Sequence, residues 1–385
     1  MSNTNTTPDK KDGATFSGRR IRLLNIIYDD VNNPWLGGGG AMRAYEMYKR
    51  FPRNVEVTLL TGRYPKAKRA ESISENFTCK RVGLPWSYTV SRITFALSIP
   101  FYLLTHKDYD MVIDEHSSFS PAFSFFYTKR PVIGYFQNIH SQKSVEGKGF
   151  FKTFFAKIFD KIAFRYFKRY VTVSTSFIKM VEERARHKDN IRLVHNGVSE
   201  EFFNVNKTER DYILFFGRIE IYQKGIDTLL EAYSELRDKP KLVIAGGGID
   251  EDKVRLTVKK LGLQNVQFIG RYSHKQACEL LSGAVCVVMP SRFESFGITA
   301  LEAMASGTAF IGSKIPGLQD VVADCGMLVE PENPHGLAEA MERMVKDAAL
   351  RRSFEEKGRI RARSFMWEQV SKDLLDVLAD AVNGR

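Results

Sequence analysis

An unbroken apolar run, AVCVVMP (284–290), ends at Pro290 and gives way to SRFESFGITALEAMASG (291–307). A run without polar alternation, closed by a breaker, fits a strand buried on both faces of a parallel sheet. Leu301, Met304 and Ala305 then recur at helical spacing, so the order is strand, loop, helix. In open α/β sheets the ligand crevice lies at the carboxyl ends of the strands, where the next helix begins. Backbone N–H groups around Phe296–Thr299 would lack helical partners there and suit a phosphate. Two carboxylates flank them, Glu294 in the loop and Glu302 along the helix. Neither would bind the phosphate; Glu294 suits sugar hydroxyls and Glu302 a diol such as ribose. Taken alone, two glutamates at this spacing read more readily as ordinary solvent-facing residues, so their weight depends on the rest of the chain.

The same alternation runs from end to end. IRLLNIIYDD (21–30) reads as a first strand, followed by NPWLGGGGAMRAYEMYKRF with its four glycines, Gly37–Gly40. Glycine there would let backbone approach a ligand and leave helix N–H groups facing it; a plain surface loop is the other reading. VEVTLLTGR (55–63) is a second strand. YDMVIDEH (109–116) leads to His116, and RPVIGYFQNIH (130–140) leads to Gln137 and His140. RYVTVSTSFIKMVEE (169–183) reads as strand, turn and helix, with Ser174–Ser176 available as caps. IRLVHNGV (191–198) closes this half at a turn. Near residue 205 the pattern restarts after a polar linker, with strands expected at about 213–217, 241–245, 265–269, 284–289 and 308–312. A last helical segment, 365–382, carries Val370, Leu374, Leu375 and Leu378 at helical spacing. Strands alternating with helices imply doubly wound parallel sheets, and 385 residues suit two such domains better than one core.

Charge and cysteine content narrow the setting. Lys and Arg outnumber Asp and Glu by 57 to 45, a formal +12, which fits anionic small molecules or an anionic membrane. No nucleic-acid motif is present, so nucleic acid is not expected as a partner. Cys79, Cys278, Cys286 and Cys325 are scattered, which points away from a disulfide framework or zinc site and towards a reducing, cytoplasmic compartment. Residues 1–18 are polar and lack the apolar core of a secretory signal; they read as a disordered tail. ITFALSIPFYLL (93–104) is too short to span a bilayer and contains Pro100, so it reads as a buried helix.

E-SFGITAL-E, with its flanking motifs VHNGVSEEFF (194–203), ILFFGRIEIYQKGIDTLLEA (213–232), LVIAGGG (242–248), VQFIGRYS (266–273), GTAFIGSKIPGLQDVV (307–322) and GMLVEPENPHGLAEAM (326–341), resembles the retaining glycosyltransferases of the fourth family. The resemblance is dense over 190–345 and thinner before. It implies the glycosyltransferase-B fold: two doubly wound Rossmann-like domains facing each other across a cleft. On that reading residues 19–204 form the acceptor-side domain and 205–364 the nucleotide-sugar domain, and the helix of 365–385 packs back on the first.

The implied donor is a nucleotide-diphosphate-sugar, and the acceptor a glycan, a lipid-linked sugar or a polysaccharide precursor. The resemblance places the donor against Gly38, Gly39, Gly217, Arg218, Lys224, Gly246, Gly247, Arg271, Glu294, Ser295, Phe296, Gly297, Ile298 and Glu302. Arg218 and Lys224 would neutralise the departing diphosphate, a fork and a point charge together. Such a pair can work without a divalent metal, no DxD triplet stands at a strand end, and neither metal nor other cofactor is implied. The family's first-domain histidine directly follows a strand; here Gln137 stands there, His140 comes three residues later, and His116 follows the preceding strand. All three stay open, with His140 taken as the catalytic choice. An epimerase-like enzyme and a non-catalytic nucleotide-sugar-binding subunit are the alternatives to transfer.

GKGFFKTFFAKIFDKIAFRYFKRY (147–170) is unusual in composition. As a helix it sets Lys157, Lys161, Arg165 and Lys168 on one side and Phe155, Ile158, Phe159, Ile162 and Tyr166 on the other. The apolar side is expected on the first sheet, and the basic side could touch anionic lipid at the inner face of a membrane.

Overall fold

The computed structural model describes residues 16, 19–35, 38–137 and 150–383. Its backbone is organised by two sheets. The first runs through β1 (Ile21–Ile26), β2 (Val55–Gly62), β3 (Ala70–Ser74), β4 (Phe77–Val82), β5 (Met111–Glu115), β6 (Val132–Phe136), β7 (Tyr170–Thr172) and β8 (Ile191–Leu193). The second holds β9 (Tyr212–Phe216), β10 (Lys241–Ala245), β11 (Val266–Gly270), β12 (Ala284–Met289), β13 (Ala309–Ser313) and β14 (Met327–Val329). Five helices shape the site and its surroundings: α1 (Gly39–Tyr48), α2 (Tyr88–Thr105), α3 (Phe150–Tyr166), α4 (Ile298–Ala305) and α5 (Trp367–Val382).

The strand order is β3-β4-β2-β1-β5-β6-β7-β8 in one sheet and β11-β10-β9-β12-β13-β14 in the other. Apart from the edge hairpin β3–β4, every pairing is parallel. In both sheets the order reverses beside the first strand, between β1 and β5 and between β9 and β12, which is where such sheets open a ligand crevice. All six residues of β12 are buried, as its apolar run implied. Each fully buried Val or Leu of this kind is worth about 1.5–3 kcal/mol, and β12 sits between β9 and β13.

After the second sheet the chain returns to the first domain. Val198 N–H donates to Phe365 O at 2.9 Å, and α5 buries Trp367, Val370, Leu374 and Leu378. It lies on α1, with Ser371 Oγ donating to Met47 O at 3.3 Å and Arg50 Nε to Glu368 Oε1 at 2.7 Å. A second tie crosses between the sheets at Asp320, whose carboxylate accepts from Ser176 N–H (3.0 Å) and Ser176 Oγ (3.1 Å) and pairs with Thr175. Ser174 stands at the N-cap of the helix Thr175–Arg184 but makes no cap bond with its side chain. An aspartate of the other domain meets the helix N-terminus instead, a placement worth about 0.3–1 kcal/mol.

Two helices differ from expectation. α2 is not a buried helix: it buries Phe95, Ile99 and Leu103 but turns Ile93, Leu97, Phe101 and Leu104 outward. On α3 the side facing the domain is Ala156, Ala163 and Phe164, followed by Phe167 just beyond the helix, while Phe155, Ile158 and Tyr166 are exposed. Small alanines let the helix sit close to its neighbours, and the large aromatics are left outside.

Candidate active site

A cavity of about 810 Å³ lies between the two sheets, at the carboxyl ends of their central strands. From the first domain come Ile27–Asp29 after β1, Gly38–Gly40 at the start of α1, Glu115 and His116 at the end of β5, and Gln137 after β6. From the second come Gly217 and Arg218 after β9, Lys224, Gly246 and Gly247 after β10, Arg271 and Tyr272 after β11, and Thr299 on α4. Close backbone packing shapes this second wall. Gly246 has φ +141°, and a Cβ there would lie 1.8 Å from Gly217 O, so no other residue fits. Gly37 and His140 lie outside the described residues.

Arg218 and Lys224 reach the cavity in different ways. Arg218 is half exposed, 3.4 Å from Glu220 Oε2, and donates to Gln223 Oε1 at 3.3 Å. Lys224 is mostly buried and ion-paired with Glu294 Oε1. Ser291 Oγ donates to the same oxygen at 3.0 Å, so Glu294 Oε2 keeps its acceptor capacity. The sequence suggests a cation and a carboxylate with separate partners; the fold makes them partners of each other.

The remaining second-domain residues divide. Gly297 is the N-cap of α4 in the left-handed region, φ +94°. Ile298 reaches across to the other domain, its Cδ1 3.1 Å from where a Cβ on Gly39 would stand. Phe296 is core: its ring packs on Phe365 and His195, so only its backbone remains for a ligand. Ser295, Phe296, Gly297, Ile298, Glu294 and Glu302 are not wall residues of the cavity itself. Glu302 keeps some accessible surface, yet burial pushes its carboxyl up to about 8. Among the described residues its carboxylate has neither hydrogen-bond nor ion-pair partner. The neighbouring Tyr272 forms part of the cavity wall, and burial, reinforced by the Glu302 charge, raises the pKa of its hydroxyl.

On the first domain, Gln137 occupies the position the resemblance gives to a histidine. Its Nε2 donates to Glu115 Oε2 at 2.6 Å, and its amide lies within 3.0–3.3 Å of where a Cβ on Gly40 would be. Glu115 is itself paired with Arg43, which is fully buried beneath the Tyr135 ring at 3.8 Å. His116 also lines the cavity, but its Nε2 is 2.7 Å from Asp160 Oδ1 and its ring packs on Phe136. It is a held, hydrogen-bonded histidine. Asp29 accepts from the N–H groups of Gly38 (2.9 Å) and Asp30 (3.0 Å), while burial pushes its carboxyl up to about 7.

The pattern defining "Glycosyltransferase Family 4" matches residues 37–202, and that of "Glycosyl transferases group 1" matches 198–361. The chain belongs to glycosyltransferase family 4. Among its relatives, an uncharacterised glycosyltransferase of Methanocaldococcus jannaschii is 30% identical over 213 residues, 53% of this chain and 60% of that protein. A D-inositol 3-phosphate glycosyltransferase of Jonesia denitrificans is 35% identical over 182 residues, 44% of this chain and 43% of that one. The chain spans about half the length of the curated relatives it matches. Sucrose-phosphate synthase from Thermosynechococcus elongatus shares the fold over 95% of this chain and 100% of that chain, with TM-score 0.79 at 19% identity. Anabaena Alr3699/HepE, solved with UDP and glucose, does so over 93% and 99%, with TM-score 0.73 at 15% identity. The shared architecture is the glycosyltransferase-B fold.

Seen as a family-4 cavity, several wall residues carry no sequence signal. Asp29, Arg92, Glu115, Ser117, Ser118 and Ser120 line it without belonging to any motif read from the chain. Asp29 and Glu115 do stand at strand ends, and that position was the available clue.

Proposed function

We propose that this chain is a retaining glycosyltransferase, moving a sugar from a nucleotide-diphosphate-sugar to a hydroxyl of a glycan, lipid-linked or polysaccharide-precursor acceptor. One observation carries the reading: Arg218 and Lys224 of the second domain and Gly38–Gly40 of the first face the same cavity. Its volume is in the range of small-ligand sites, roughly 300–1,000 Å³. The names of relatives, D-inositol 3-phosphate glycosyltransferase and glycogen synthase, fit the activity.

In this mechanism the diphosphate departs towards Arg218, Lys224 and the first turn of α1. Asp29 engages Gly38 N–H, leaving the N–H groups of Gly39 and Gly40 for phosphate oxygens. Charge developing on the leaving group is met by groups already in place, the largest source of rate in such reactions. Glu294 Oε1 holds Lys224, and Oε2 accepts from the donor sugar's hydroxyls, which sets the reacting carbon. Glu302 accepts from the ribose. The acceptor hydroxyl enters from the first domain on the face the phosphate leaves, passing its proton to the departing phosphate oxygen, so configuration is retained. Gln137, steadied by Glu115, faces this point. Since side chains hold the diphosphate, no divalent metal is required.

The proposal extends to the surface. The outward stripe of α2, with Trp86 ahead of it, joins the exposed Phe154, Phe155 and Ile158 of α3 through the turn at Phe125 and Phe126, which packs on Tyr166. Exposed Lys157, Lys161, Arg165 and Lys168 stand beside it. Apolar residues flanked by cations suit an anionic bilayer surface, where each cation adds about 1 kcal/mol.

The test is turnover in chelator. Wild type should work in EDTA, and Lys224→Ala and Arg218→Ala should each lose roughly 10²–10³ in kcat. Activity that needs added Mg²⁺ or Mn²⁺, or variants as fast as wild type, would overturn the assigned roles.

A further inference from the structure

Arg92, near the start of α2, lines the first-domain side of the cavity. Its guanidinium lies 5.5 Å from the Tyr28 ring, 5.4 Å from Tyr88 and 6.0 Å from Phe119. Nη1 donates to Tyr88 Oη and Nη2 to Ser120 Oγ, each at 3.0 Å. These partners are neutral: they fix the plane of the cation without cancelling its charge. Two buried arginines of this domain are treated differently, Arg43 being paired with Glu115 and Arg81 with Asp30 and Glu71. Among the described residues no carboxylate pairs with Arg92.

Its surroundings are short of acceptors. Ser120 Oγ donates to Ser117 Oγ at 3.3 Å, and Ser117, also on the wall, has no acceptor among the described residues for its own proton. Asn33 Oδ1 is taken by Trp35 N–H at 2.9 Å. That turns Nδ2 of the same amide inward, where it is buried beside the Tyr28 hydroxyl. The carboxylates of the same wall are already engaged: Asp29 by Gly38 and Asp30 N–H, Glu115 by Arg43 and Gln137, and Asp160, behind His116, by His116 and Ser118. A cation that no carboxylate cancels and a hydroxyl with a proton to give, both lining one space, form a site for an oxyanion.

We propose that Arg92 and Ser117 form a phosphoryl-binding subsite on the acceptor side of the cleft, so that the acceptor carries a phosphate beside the hydroxyl that is glycosylated. This rests on the glycosyltransferase reading, which places the donor diphosphate across the cleft at Arg218 and Lys224. The subsite is a second anion site, separate from the first. Several donors around a single cation fit the three-oxygen face of a phosphate better than a planar carboxylate. The phosphate could belong to a soluble polyol phosphate or to a lipid headgroup; the chemistry recognised is the same.

The experiment titrates sn-glycerol 3-phosphate, and separately dihexanoylphosphatidic acid, into protein saturated with nucleoside diphosphate, by calorimetry. Saturation blocks the first anion site, so binding that remains reports the second. Wild type should bind at least one probe, and the tighter probe identifies the source. Arg92→Gln should bind it roughly tenfold to a hundredfold more weakly while nucleoside diphosphate affinity is unchanged. Arg92→Lys should recover part of the loss. Ser117→Ala, which disturbs no packing around the Tyr28 and Tyr88 rings, should weaken the probe several-fold with an unchanged melting temperature. If the saturated wild type binds neither probe, or Arg92→Gln and Ser117→Ala both bind as wild type does, the subsite does not exist. If nucleoside diphosphate itself fails to bind wild type, the glycosyltransferase reading fails first, and the two failures are told apart.

Discussion

Glu294, paired with the wall residue Lys224, and Glu302, beside the wall residue Tyr272, stand behind one cavity, but their surroundings ask different things of them. Glu294 is neutralised by Lys224 and, in the donor pose proposed above, would hold the sugar; Glu294→Gln should lower kcat, with nucleoside diphosphate still binding. In the same proposed pose, Glu302 would hold the ribose equally in ground and transition states, so Glu302→Gln should mainly raise donor KM. Steady-state kinetics on both variants decides it, and the reverse pattern would mean the donor lies the other way round. Glu302 also predicts a proton count. Burial holds its folded-state carboxyl at about 8, above the ordinary Glu value. The advantage this gives the folded state is fully present below the unfolded pKa and is lost as pH rises through about 8. Ribose hydroxyls donate to the ionised form, so nucleotide binding at pH 7 should release close to a proton, at most about one per site. Calorimetry in buffers of different ionisation heat should show this in wild type and not in Glu302→Gln; equal release by both would rule out Glu302 as the source. The sequence could name these glutamates because motif and spacing single them out. It could not show that Glu294 clasps Lys224, since that contact joins residues 70 positions apart.

At the scale of elements, the strands that read most clearly are those buried on both faces, β1, β5, β9 and β12. An uninterrupted apolar run carries its own evidence. The hairpin β3–β4 carries no such signal: AESIS and FTCKRV lie at the sheet's edge and are only partly buried, so they mix polar with apolar. The reading of 93–104 as a buried helix fails for a related reason. Periodicity shows apolar residues on both sides of α2, but not whether each side has a neighbour. Only one does. The uncovered side makes a prediction of its own. Binding to vesicles containing phosphatidylglycerol should weaken with salt, as the Debye length falls from about 10 Å at 0.1 M to 3 Å at 1 M. Replacing Lys157, Lys161, Arg165 and Lys168 with Gln should remove the salt-sensitive part. Leu97→Glu with Phe101→Glu, both on exposed sites, should weaken binding at every salt concentration. Sedimentation with vesicles measures all three proteins. Identical partitioning would mean that both surfaces serve only as solvated faces.

For the whole molecule, two sheets with reversed strand order beside their first strands bring two crevices face to face, and the returning α5 ties the second unit to the first. The alternation of strands and helices, and its restart near residue 205, made this architecture legible from sequence. The cavity's membership was less so, because its wall is drawn from six strand ends and several helix starts spread over residues 27–299. The central claim is that this shared cavity takes a nucleotide-diphosphate-sugar with its diphosphate on Arg218 and Lys224. Thermal unfolding in EDTA with a panel of nucleotide-sugars tests it without knowledge of the acceptor. At about 100 times its dissociation constant, a bound donor should add about 2.7 kcal/mol of stability to wild type, and Arg218→Ala with Lys224→Ala should lose most of that shift at the same concentration. A panel in which no nucleotide-sugar stabilises wild type, or one that stabilises the double variant equally, would contradict the claim.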